Sequence, residues 1–288
     1  MRVLITGAGG FIGSHLVDKC KADGHYVIGL DKKLLLEDWV IGCDNADCYM
    51  TGVDVVDLGS KECEFDLCYH LAAESRIQPS FKCPVKCVKS NVLGTAAVLQ
   101  AAVDNSAGVV YAGSSTADDI AEKNVYAMSK WQGEELCRTW RRCFGITVDI
   151  ARFYNVYGVR HLREGIYATV VGIFEKQLEE GNKLTVTGTG QQRRDFTAVE
   201  DIVDGLVAIA EKGNNGEYRL GTGINCSVLD VARMFVNDDQ IEFIPRPPGE
   251  SENTIANVQC TKDIIGWEAK KWLKNYVRDY KKQYQGTL

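Results

Sequence analysis

Arg2-Val-Leu-Ile-Thr6 followed by Gly7-Ala-Gly-Gly-Phe-Ile-Gly13, with Tyr26-Val-Ile-Gly-Leu-Asp31 behind it, is the stretch whose reading decides the fold. The first run is β-branched and apolar, and from Phe11 to Asp23 the apolar residues Phe11, Ile12, Leu16 and Val17 recur at helical spacing. Strand, glycine turn and helix follow in order. Gly7 permits a sharp turn, Gly10 lets the backbone approach a pyrophosphate, and Gly13 lets the helix pack on the strand. The helix N-terminus, beginning at Phe11 and Ile12, offers free N–H groups and a partial positive charge to the anion. Asp31 closes the second strand, where its carboxylate can bond both ribose hydroxyls and repel a 2′-phosphate. The spacing therefore predicts NAD rather than NADP, a preference that Lys32 and Lys33 soften.

Working outward, strand-like runs at Phe65 to Ala72, Gly108 to Ser114 and Ile146 to Phe153 alternate with helical patterns at Val85 to Val103 and Tyr126 to Phe144. That alternation predicts an α/β fold, a doubly wound parallel sheet with helices on both faces. After Asn155 the rhythm changes. A helix at Ile166 to Glu180, short strands near Lys183 to Val186 and Glu217 to Leu220, and a helix at Ser227 to Val236 come next. They are followed by the loop Pro245 to Pro248 and a C-terminal helix carrying Trp272, Leu273, Tyr276, Val277 and Tyr280. We expect a cofactor domain of residues 1–160 plus about 194–225, and a smaller mixed α/β substrate domain of about 161–193 and 226–288.

Composition narrows the function classes. The 288 residues are 45% hydrophobic and 25% charged, with a net charge of −6 and a pI near 5.4. Such an acidic balance gives no basic footprint for nucleic acid. No run approaches the roughly 20 apolar residues of a membrane span. Met1 leads straight into the first strand, so no signal peptide is expected and the cytoplasm is the expected location. Eleven cysteines, an odd number, cannot all pair internally. Their spacings, and four scattered histidines, predict no metal site.

Ligands of open parallel sheets lie outside the carboxyl ends of the strands. His70-Leu-Ala-Ala-Glu-Ser75 follows one such end, and its small Ala72 and Ala73 would let a cofactor lie against the backbone. Gly113-Ser114-Ser115-Thr116 follows another and can hold a substrate hydroxyl while a base removes its proton. A third is Asn155-Val-Tyr-Gly158. Tyr126 and Lys130 stand at i and i+4 of one helix and so share a face. A free tyrosine ionises near pH 10, and the Lys130 ammonium is expected to hold the phenolate at lower pH.

At these residues the chain resembles the extended short-chain dehydrogenase/reductases, in particular the nucleotide-sugar epimerase and dehydratase branch, closest in pattern to the UDP-glucose 4-epimerase-like proteins. The likeness runs nearly the whole length, through the glycine motif, Asp54, His70-Leu71-Ala72-Ala73, Asn91-Val-Leu-Gly-Thr95, Tyr126 to Lys130, Arg152 to Gly158 and Arg194 to Asp201. It implies a Rossmann-type fold and catalysis by Ser114, Tyr126 and Lys130. It further implies NAD contacts from Asp54, Leu71, Ala72, Ala73, Asn91, Tyr126 and Lys130, and sugar-nucleotide contacts from Ser115, Thr116, Asn155, Arg194 and Arg246. The activity implied is transient oxidation of a nucleotide sugar, UDP-hexose foremost, with epimerisation at C4. Related outcomes are 4,6-dehydration and decarboxylation of UDP-glucuronate, and a non-catalytic NAD-binding sensor is the alternative from another class. A homodimer built on Val85 to Val103 and Tyr126 to Phe144 is also implied. The chain departs from the family where Ala117 to Val125 is short, and where Ser114-Ser115-Thr116 replaces the Thr-Asp-Glu of dehydratases, with Asp118 and Asp119 only later.

Overall fold

The computed structural model describes residues 1–33, 45–60, 63–116 and 124–285. Along the chain come β1 (Arg2–Thr6), α1 (Phe11–Ala22), β2 (Tyr26–Asp31), β3 (Cys48–Thr51), β4 (Leu67–His70), α2 (Ile77–Lys82), α3 (Pro84–Val88), α4 (Gly94–Asn105) and β5 (Gly108–Ser114). Next are α5 (Val125–Phe144), β6 (Val148–Phe153), β7 (Asn155–Tyr157), α6 (Val170–Glu179), β8 (Leu184–Thr187), β9 (Arg193–Ala198), α7 (Val199–Lys212) and β10 (Glu217–Leu220). The last are β11 (Asn225–Ser227), α8 (Val228–Phe235), β12 (Ile241–Ile244), α9 (Gln259–Ile265) and α10 (Leu273–Gln285).

Seven strands form one sheet in the order β10-β6-β5-β4-β1-β2-β3, and every pairing is parallel. Alternation along β1 sends Val3 and Ile5 to a core shared with Leu16 and Val17 of α1 and Ile202 and Leu206 of α7. Leu4 goes to the opposite core, with Leu99 of α4 and Cys137 of α5. Burial on both faces explains why these strands read as continuous apolar runs. From β1 the chain winds outward to β2 and β3, then returns to place β4 on the other side, so the order reverses between β1 and β4. The crevice at that reversal is where a ligand fits.

A third core lies beyond the large sheet, built from Tyr157, Phe174, Phe196, Phe235 and Val277. It is covered by a three-stranded sheet, β11-β9-β7, and a two-stranded one, β12-β8. Several sequence expectations change here. Asn155 to Tyr157, expected as a loop, pairs as a strand with Phe196 to Ala198. The helix expected from Ile166 begins at Val170, because the Thr169 side chain accepts the Gly172 N–H at 3.0 Å and caps it. Within the helical run that begins at Pro84, Lys89–Leu93 forms a π turn. α7 is a helix the sequence expectations do not include, although Val199, Ile202, Val203, Leu206 and Ile209 form its buried face. Ile265 and Trp267, grouped by sequence with the substrate domain, pack instead in the core of the large sheet. Trp267 donates its indole N–H to the Asp201 carbonyl at 3.0 Å.

Ten described cysteines are unpaired thiols, Cys20, Cys68, Cys87 and Cys137 among them buried. Cys43, Asp118 and Asp119 lie outside the described residues, as does most of the short Ala117 to Val125 segment. Among the described residues no His/Cys/Asp/Glu group could hold a metal, and no helix is long and apolar enough to cross a membrane.

Candidate active site

Gly7 fixes the first wall of the crevice. Its φ of +72° and the approach of an added Cβ to 2.9 Å from the Ala72 backbone nitrogen admit no side chain. A Cβ at Gly13 would lie 2.1 Å from the Gly7 carbonyl oxygen, so α1 packs directly on the turn. Among the described residues no side chain caps α1 and none in its first turn is acidic, which leaves those N–H groups to an anion. Asp31 is buried and accepts the Gly9 N–H at 3.0 Å. These features fit a dinucleotide, with the pyrophosphate on the turn and a ribose at Asp31. The ammonium of Lys32, which the sequence left near the ribose, pairs with Glu74.

A cavity of about 500 Å³, within the usual size range of ligand sites, runs from this turn to Val170, Val171 and Phe196 beside the third core. Gly7, Gly10, Phe11, Ile12, Gly13, Asp31, Asp54, Leu71, Ala72 and Ala73 line its cofactor end. Ser114, Ser115, Thr116, Tyr126, Lys130, Asn155 and Arg194 line the rest. Asp54 is braced by the Val56 N–H, which it accepts at 3.2 Å.

Two anticipated contacts fall outside this lining. Asn91 is fully buried in the π turn, where its oxygen accepts the Glu74 N–H at 2.8 Å and its amide donates to the Glu74 carbonyl and the Ser129 hydroxyl. It therefore positions the loop after β4 and does not reach the cavity. Arg246 pairs with Glu252 and donates to the carbonyls of Glu250 and Ser251 at 3.1 and 3.2 Å. Its guanidinium staples its own loop and lies outside the cavity lining.

Beyond the cofactor end, three hydroxyls form a chain. Asn124 caps α5 by accepting the Ala127 N–H at 2.8 Å, and the Tyr126 N–H is held by the Ser80 hydroxyl at 3.2 Å. So anchored, Tyr126 points its hydroxyl at Ser114 Oγ, 3.4 Å away. Ser114 Oγ lies 2.8 Å from Thr116 Oγ1. Lys130 is 4% exposed, with Nζ 4.2 Å from the centroid of the Tyr111 ring. Burial brings its pKa down to about 8, against the pull of Glu134 one turn along the helix. Glu134 is itself buried and gripped by Arg152 at 2.6 Å.

Burial pushes the Tyr126 phenol up, while the Ser114 hydrogen bond and the Arg76 guanidinium pull it down. Arg76 is thus a cation beside the phenol that the sequence did not point to. His70 is a framework residue, hydrogen-bonded to Thr6 at 2.8 Å and Thr95 at 3.1 Å, and burial holds it neutral with a pKa of about 3. Arg76, Lys86, Tyr167 and Glu250 also line the cavity and were not foreseen. The rule of strand carboxyl ends could have found Arg76, which follows β4. Tyr167 arrives from the distant segment before α6 and left no local signal.

Hydroxyls, tyrosine and lysine set beside a dinucleotide turn on a parallel sheet are the arrangement of the extended short-chain dehydrogenase/reductases. Residues 3–221 match the NAD dependent epimerase/dehydratase family, and the chain belongs to it. Its cofactor is accordingly NAD. It is 30% identical to UDP-glucose 4-epimerase from Mycolicibacterium smegmatis, with 93% of each chain covered. It is also 30% identical to UDP-glucuronic acid decarboxylase 1 from Danio rerio, over 93% of this chain and 68% of that one. Among solved structures, UDP-glucose 4-epimerase from Thermotoga maritima superposes with a TM-score of 0.88 at 25% identity, covering 100% of this chain and 99% of that one.

Proposed function

We propose that the chain is an NAD-dependent nucleotide-sugar epimerase that acts at C4 of a UDP-hexose. The observation that carries this reading is the Tyr126, Ser114 and Thr116 hydroxyl chain, which shares one cavity with the glycine turn. Ser114 and Thr116 hold the C4 hydroxyl, and Tyr126 takes its proton. Bound NAD supplies the hydride acceptor at C4 and then the hydride donor. Lys130 keeps positive charge near the phenolate, and Arg194 and Asn155 hold the nucleotide end. Few groups then grip the ring itself, as turning the keto sugar over requires.

Decarboxylation of a uronate, the activity in the name of the fish relative, begins with the same oxidation. Product mass separates the two, because epimerisation leaves it unchanged and decarboxylation lowers it. The test is incubation of purified protein with UDP-glucose, UDP-galactose and UDP-glucuronate, followed by product identification and by absorbance of NADH. With NAD bound, failure of every sugar to react would reduce the protein to a cofactor-binding one.

A second copy of the chain is proposed to cover the face carrying Val85 (80% exposed), Val88, Leu93, Met128 and Trp131 (41% exposed). Exposed apolar side chains grouped on neighbouring helices favour association.

A further inference from the structure

We propose that Arg76 selects a nucleotide sugar bearing a carboxylate on C5, a hexuronic acid; this deepens the C4 reading above and rests on it. Arg76 stands at the N-cap of α2. Its Nε and Nη2 donate to the Tyr167 carbonyl at 3.3 and 3.1 Å, which fixes the plane of the guanidinium. Among the described residues Nη1 has no hydrogen-bond partner, and the residue lines the cavity. The same short helix supplies the Ser80 hydroxyl that holds the Tyr126 backbone at 3.2 Å. Arg76 and Tyr126 are therefore set on one support and face one space. They are near enough for the guanidinium to draw the phenol's pKa down.

The geometry of a pyranose ring does the rest. If Tyr126 meets the C4 oxygen, a cation beside Tyr126 meets what C4's neighbours carry. The diphosphate hangs from C1, across the ring, where Arg194 is available. A hydroxymethyl group on C5 needs only a neutral donor or acceptor. A half-buried guanidinium carries a desolvation penalty that an anion relieves, and burial already weakens the hold of Arg76 on its proton. A C5 carboxylate removes that penalty through charge-assisted hydrogen bonds to Nη1 and Nη2, the planar pairing to which guanidinium is suited. Glu250 does not discharge the site. Its carboxylate lies 3.6 Å from Arg194 and accepts from Gln78 at 3.3 Å, so one anion is shared between Arg194 and Arg76.

The experiment compares kcat/KM for UDP-glucuronate and UDP-glucose in the NAD-loaded wild type, Arg76→Gln and Arg76→Lys, with bound NAD and melting temperature followed for each. Gln keeps a donor for the Tyr167 carbonyl while removing the charge. We expect the wild type to prefer the acidic sugar. The ratio of the two constants should fall by about 30-fold or more in the Gln variant, as for a carboxylate left without its charged partner. Lys should restore part of it. A wild type that prefers UDP-glucose, or a Gln variant that loses both sugars equally, overturns the proposal. If neither sugar produces NADH absorbance in the wild type, the C4 reading has failed and this one falls with it.

Discussion

Lys130→Met should make the protein more stable at neutral pH and catalytically dead. Lys130 is displaced from its ordinary 10.5 to about 8, with burial as the main cause. At about 1.4 kcal/mol for every tenfold change in proton affinity, keeping the ammonium charged at pH 7 costs about 3 kcal/mol. Methionine has a similar length and no charge. The substitution forfeits the contact of Nζ with the Tyr111 ring, worth about 1–2 kcal/mol. Glu134 is not orphaned, since Arg152 still grips it at 2.6 Å. A net gain of about 1–2 kcal/mol remains, which for a chain of this size raises Tm by a few degrees. The sign of the pH dependence follows. Because folding lowers this lysine's pKa, the unfolded chain binds the extra proton between pH 8 and 10.5, and wild-type stability gains from rising pH across that window. The advantage of the variant should be full below pH 8 and close toward pH 10.5. Denaturant titration of both proteins at pH 7 and pH 10 measures it. A variant less stable than wild type at pH 7, or a gap that does not narrow with pH, refutes the claim that Lys130 is held charged against its surroundings.

Three further outcomes are expected. Tyr126→Phe should lower kcat by about 100- to 10,000-fold with NAD still bound, measured by turnover and by cofactor retention on gel filtration; parallel loss of both would make the tyrosine structural. Gly13→Ala should abolish NAD binding and destabilise the fold by about 1–3 kcal/mol, because its Cβ would meet the backbone oxygen of Gly7 at 2.1 Å; a calorimetric titration showing unchanged affinity contradicts the cradle. Trp131→Glu should convert a dimer to monomer on sedimentation, and a wild type already monomeric at tens of micromolar removes the proposed interface.

The cofactor half was legible because its signals are local. The glycine turn reports a backbone that admits no Cβ, and Asp31 stands at a fixed offset in a single βαβ unit. Tyr126 and Lys130 lie one turn apart on one helix, which spacing alone reveals. The Ser114 and Thr116 hydroxyls were readable as a strand end, since β5 is a continuous buried run. Less legible were residues whose role depends on partners far along the chain. Asn91 matched a landmark, yet its amide is consumed by Glu74 and Ser129. Arg246 sat in the expected loop, yet Glu252 and two carbonyls take its guanidinium.

Sequence by itself determined the parallel sheet, the dinucleotide turn and the shared face of Tyr126 and Lys130, because each is written in periods of two or 3.6 residues or in a steric demand for glycine. Tertiary structure alone decided which charges come near the Tyr126 hydroxyl. Arg76 comes to Tyr126 only because α2 packs on α5 and a carbonyl from the segment before α6 holds the guanidinium in place. Such proximity depends on the closing of long loops, and no local pattern of residues encodes it.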